Sequence, residues 1–109
     1  MGLRQSLEVM LQRGQDSPLL RFSLGNECLK DGDLVAAIGH LRHAVELNPG
    51  YSAAWKVLGQ AYSRTGTADR AVEAYRHGIA AATSQGDMQA AREMTVFLKR
   101  LAKDRGVAP

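Results

Sequence analysis

The chain has 109 residues, 45% hydrophobic and 23% charged, with a formal net charge of +3 and one cysteine. That length suits one domain with a core of its own. One cysteine excludes an internal disulfide, no apolar run reaches membrane-spanning length, and the modest charge permits an acidic partner without demanding nucleic acid. Three prolines and few β-branched or aromatic residues favour helix over sheet. Residues 3–13 set Leu3, Leu7, Met10 and Leu11 on one helical face. Glu8 interrupts this stretch and no long apolar block follows, so a secretory signal is not expected. Gly14 ends the first helix, and Asp16 or Ser17 can cap a second, with Pro18 in its first turn, running to about residue 30. In the turn Asp31-Gly32-Asp33, Gly32 can take the left-handed conformation and Asp33 can cap a helix over 34–47, which Asn48-Pro49-Gly50 stops. The spacing predicts helices over 52–64 and from 68 into the alanine run at 80–82, with Thr67 as the cap between them and Ser84-Gln85-Gly86 as the break. Asp87 caps a last helix carrying Ala91, Met94, Leu98 and Leu101, and residues 104–109 read as a frayed tail.

The chain repeats itself at an offset of 34 residues. Leu24-Gly25 recurs as Leu58-Gly59, Gly32 as Gly66, Ala37 as Ala71, and Arg42-His43 as Arg76-His77. A fixed period of this size marks stacked repeats, whose use is to present surfaces to partners. Gly25 and Gly59 fall mid-helix, where glycine costs about 1 kcal/mol relative to alanine. Close approach of a second helix, eased by Ala37 and Ala71, explains that cost, and Trp55 and Tyr62 fill the groove between helices. Counting 34 back from Ala37, Leu41 and Ala44 gives Leu3, Leu7 and Met10, so the first helix reads as the second half of a preceding repeat. The last helix reads as the first half of a following one, slipped by two residues.

The second unit, with Trp55, Leu58, Gly59, Tyr62, Ala71 and Tyr75 at their spacings, resembles the tetratricopeptide repeat. The first unit keeps Leu24-Gly25, Ala37, Leu41, Ala44 and Pro49, but has Arg21 and Cys28 where the tryptophan and tyrosine belong. The second departs at Gly78 and Thr83, in place of an alanine and the closing proline. The resemblance implies an all-α fold: antiparallel helix-turn-helix repeats stacked as a short right-handed superhelix, an α-solenoid. One domain, 1–109, would hold a flanking helix at 3–13, repeats at 18–51 and 52–85, and a capping helix at 87–103.

The resemblance further implies that the first helix of each pair lines a concave, ligand-binding groove. The matching positions are Phe22, Asn26, Leu29 and Lys30, then Lys56, Gln60, Ser63 and Arg64. With the two-residue slip, the last helix adds Gln89, Arg92, Val96, Lys99 and Arg100. None of these is acidic; Asp31, Asp33, Glu46, Asp69 and Glu73 fall in turns and second helices. A basic groove that concentrates acidic segments of a partner protein is therefore expected, against the alternative of ordinary solvated cations. The carboxylate clamp of some family members is incomplete. Asn26 fits, but Phe22 replaces a lysine, and Lys56 and Gln60 imitate the pair one repeat later without the next asparagine. Leu19, Phe22 and Leu29 would make one end of the groove apolar, or pack on the chain's own flanking helix, the preferred reading.

His40, His43 and His77 lack further ligands for a metal, and the repeated Arg-His is read as a shared structural role or common ancestry. Cys28 sits at a helix-core position and is expected to be a buried, inert thiol. No residue set points to catalysis or a cofactor. The expected function is a non-enzymatic, cytoplasmic protein-interaction scaffold. The alternatives are nucleic-acid binding, weakened because most aromatics belong to the core, and self-association through the half-repeat ends.

Overall fold

Turn chemistry punctuates the chain into α1 (Leu3–Gln12), α2 (Pro18–Lys30), α3 (Leu34–Leu47), α4 (Ser52–Arg64), α5 (Ala68–Ser84) and α6 (Met88–Arg105). This is a computed structural model describing residues 2–105; no strand occurs among the described residues. Among the described residues, four helices end on a glycine with positive φ: Gly14, Gly32, Gly66 and Gly86, between 75° and 82°. In each case the next amide reaches back to close the helix end: Gln15 to the Met10 carbonyl, Asp33 to Cys28, Thr67 to Tyr62 and Asp87 to Ala82, at 2.9–3.1 Å. This is the Schellman arrangement, which only glycine enters without a Cβ penalty.

Three of the helix starts, those of α2, α3 and α6, are capped by side chains. Ser17 accepts from the Leu20 amide at 3.0 Å, Asp33 from Ala36 at 3.2 Å and Asp87 from Ala90 at 3.1 Å. Thr67 departs from expectation: it makes no capping bond, and its hydroxyl lies 2.7 Å from that of Thr65. Other boundaries shift slightly. α1 stops at Gln12, α5 continues to Ser84, and α6 carries Asp104 and Arg105 in its last turn, so these two are helical rather than frayed. Residues 106–109 of the expected tail lie outside the described residues.

Helices α2 and α3, and α4 and α5, form hairpins; α3 packs on α4, α5 on α6, and α1 on α2. α2 meets α4 and α4 meets α6, so the first helices share one side of a stack measuring 45 × 29 × 19 Å. The core runs along the seam between the layers, with Leu24, Cys28, Leu41, Leu58, Tyr75 and Met94 among its buried members. The mid-helix glycines admit side chains rather than bare backbone. A Cβ on Gly25 would lie 2.5 Å from Leu41, and one on Gly59 2.5 Å from the Tyr75 ring. Gly78 has the same logic at the last interface, where a Cβ would meet the Met94 sulfur and lie 2.9 Å from Trp55 Cβ. The preceding repeat pairs Ala44 with Leu58 at these positions, both buried. A smaller residue on α5 thus accompanies a longer one on α6, conserving volume as close packing requires.

Candidate functional site

The residues expected in the groove separate into three groups. At one end, Phe22 packs its ring against Tyr51, centroids 5.0 Å apart, at the start of α4. Leu19 is 65% exposed, so a flanking helix does not cover it as preferred from sequence. Asn26 is half-buried and Lys30 exposed, its ammonium 3.0 Å from Glu27 on the same helix. In the middle, Lys56 Nζ donates to Glu93 Oε2 of α6 at 2.7 Å. That lysine holds the Glu93 carboxyl below the usual carboxylate range. Arg92 and Lys99 are exposed on α6.

Further along, Gln60, Ser63 and Arg64 of α4 converge with Arg100 of α6 around a pocket of about 440 Å³. Leu29, Tyr75, Phe97 and Leu101 supply its apolar lining, and Asp104 joins its edge. Tyr75 and Phe97 pack ring to ring, centroids 5.7 Å apart. Burial pushes the Tyr75 phenol up. Arg64 Nη1 donates to the Leu29 carbonyl at 3.3 Å, which leaves the rest of its guanidinium toward solvent. Neither Arg64 nor Arg100 forms an ion pair among the described residues.

The expectation of a groove wall without acids therefore needs correction: Glu93 neutralises Lys56, and Asp104 borders the pocket. Under the two-residue slip Glu93 corresponds to half-buried Val57, which is not a groove position, so the repeat register does not reveal it. Phe97 was missed for a related reason: its counterpart is the buried Ala61, and the slip that located Arg92 and Lys99 would also have located this larger ring.

A second, smaller cleft of about 220 Å³ lies between α3 and α5. Trp55 forms part of its floor; the indole N–H donates to the Pro49 carbonyl at 2.8 Å, and His77 stacks on the ring at 4.7 Å. His43, its repeat equivalent, instead sits 3.5 Å from Asp16, so of the two expected explanations for the repeated Arg-His the shared structural role fails and common ancestry stands. His40 Nδ1 lies 3.2 Å from Arg21, which in turn pairs with Asp16. Burial, and then Arg21, hold His40 below its ordinary range. Among the described residues no group of three His, Cys, Asp or Glu could hold a metal ion. Cys28 is fully buried, and that burial pushes its thiol up, away from the reactive thiolate.

A tetratricopeptide repeat family model matches residues 29–94. A TPR repeat-containing protein of Pseudomonas aeruginosa is 46% identical over 101 residues, spanning 93% of this chain and 96% of the relative. Among solved structures, the solution structure of a Bordetella parapertussis protein superposes with a TM-score of 0.82 at 42% identity, covering 95% of this chain and 90% of that one. That of a tetratricopeptide repeat domain protein from Salinibacter ruber gives 0.74 at 27% identity, with 79% and 87% covered.

Proposed function

We propose, from the premise that this chain belongs to the tetratricopeptide repeat family, that it is a non-enzymatic scaffold holding an acidic, extended segment of another protein between α4 and α6. Repeats of this family generally mediate protein–protein interaction. The observation that carries the finer reading is the pair Arg64 and Arg100, set around one pocket without a carboxylate partner of their own among the described residues. Cations in a concave surface focus the field on an incoming acidic chain and raise its association rate. Gln60 offers an amide for main-chain hydrogen bonding, and Arg92 and Lys99 extend the positive surface along α6. Lys56 contributes less than its position suggests, because Glu93 already neutralises it. A reducing compartment, the cytoplasm, completes the reading.

The test is partner capture from the native host with wild-type protein and with the Arg64→Glu/Arg100→Glu variant. A true groove partner is retained by the wild type, lost by the variant, and released as ionic strength rises past the range where exposed charges are screened. A partner held equally by both proteins places the contact elsewhere.

A further inference from the structure

The pocket at Arg64 and Arg100 has more chemistry than an acidic ligand needs. Its lining is apolar: Leu29, Phe97 and Leu101 are each only half-buried, and the Tyr75 ring closes the base. Water therefore covers aromatic and aliphatic surface that the neighbouring helices leave uncovered. A purely acidic peptide would gain nothing from that surface, whereas a large apolar side chain would displace the water. The volume of about 440 Å³ lies within the range of pockets that enclose small ligands, roughly 300–1,000 Å³. The cations stand at the edge of this lining, so the charge they attract must lie next to the apolar group.

We infer that the pocket reads a two-part signature in an extended protein segment: one large apolar side chain, Phe, Leu, Ile or Met, seated on Phe97 and Leu29, with a carboxylate directly beside it held by Arg64 and Arg100. This rests on the groove reading above and specifies its ligand. Asp104, one turn from Arg100 on the same helix, repels a carboxylate and so orients the acid toward Arg64. Buried anchors of this kind dominate interface energetics, and rim charges tune rate and register.

The test is a random peptide library selected on the full chain, followed by anisotropy measurements on fluorescein-labelled synthetic copies of the enriched sequences. The expected consensus joins a large apolar residue to Asp or Glu. Replacing the apolar residue with alanine should weaken binding about ten- to hundredfold, as loss of a fully buried side chain implies. Replacing the acid with its amide should weaken binding severalfold and flatten the salt dependence. Arg64→Ala/Arg100→Ala should abolish the distinction between acid and amide while sparing the apolar preference. Ser63→Trp, at an exposed position on the pocket rim, should block the anchor. Backbone amide shifts on α4 and α6 show where the peptides sit. Peptides seated there that tolerate alanine, or show no acid preference, overturn the two-part signature and leave the groove reading standing. Failure to enrich any sequence, or shifts confined to the α3–α5 cleft, overturns both.

Discussion

At Gly39 and Gly59 the same residue type, mid-helix in both cases, has opposite consequences. A Cβ on Gly39 would meet nothing within 4 Å, whereas one on Gly59 would lie 2.5 Å from the Tyr75 ring. Gly39→Ala should stabilise the protein by about 0.5–1 kcal/mol, the ordinary helix-propensity gain. Gly59→Ala should forfeit that gain and destabilise the fold by about 1–2 kcal/mol through overpacking against a rigid ring. Urea unfolding of both variants measures the difference, and a stabilised Gly59→Ala would show that the repeat glycine has no packing role. His40 carries a pH effect of definite sign. Its imidazole is held below the ordinary value of 6.5 by burial and by Arg21. The unfolded chain therefore accepts a proton that the folded chain resists. This group's contribution to stability is intact above pH 6.5 and declines as the pH falls below it toward the folded value. His40→Gln should flatten the stability–pH slope in that window, as followed by thermal melts; an unchanged slope would assign the acid sensitivity to other groups.

Among the elements, α1 stands apart because none of its residues is fully buried. Its sequence copies the apolar spacing of α3, yet Leu3 and Met10 remain 58% and 42% exposed, while their counterparts Ala37 and Ala44 are fully covered. The difference lies in the neighbours: α3 is sandwiched between α2 and α4, but α1 packs on α2 alone. What anchors it is polar. Arg4 reaches Asp33 at 2.9 Å and Asp31 at 3.2 Å in the first repeat's turn, and holds the Asp33 carboxyl below the usual range. Arg4→Ala should raise amide exchange across residues 3–12 severalfold and leave α4 and α5 unchanged. Equal protection in variant and wild type would mean that the apolar contacts suffice. The opposite end closes differently. Thr95 of α6 occupies the place of Gly25 and Gly59 under the slip, and its Cβ stands where those glycines make room for a second-helix side chain. The Thr95 hydroxyl turns back and donates to the Ala91 carbonyl at 2.8 Å.

Over the whole molecule, a repeated sequence produces repeated backbone but not repeated surfaces. The helices, their glycine stops and most of their caps were legible, since capping and C-terminal glycines act within a few residues. Thr67 is the exception: its hydroxyl meets that of Thr65, two residues earlier, and makes no cap. In the candidate site, Lys56 and Arg64 read as equivalent cations in the sequence; the structure gives one of them a carboxylate partner and the other a place at an apolar pocket. The pocket itself draws Leu29, Arg64 and Arg100 from three different helices.

By itself, the sequence determined the all-α repeat architecture, the tetratricopeptide family, and the identity of the helices that face one another. These follow from periodicity, turn residues and side-chain volume, all of which act locally or at the constant offset of the repeat. Only the tertiary structure decided which charges remain unpaired, which apolar side chains stay half-covered, and hence where a ligand finds both together. Those properties depend on distances between residues far apart in the chain. Lys56 and Glu93 meet because α4 and α6 pack side by side across the intervening α5, a relation fixed by the geometry of the stack and absent from any single stretch of residues.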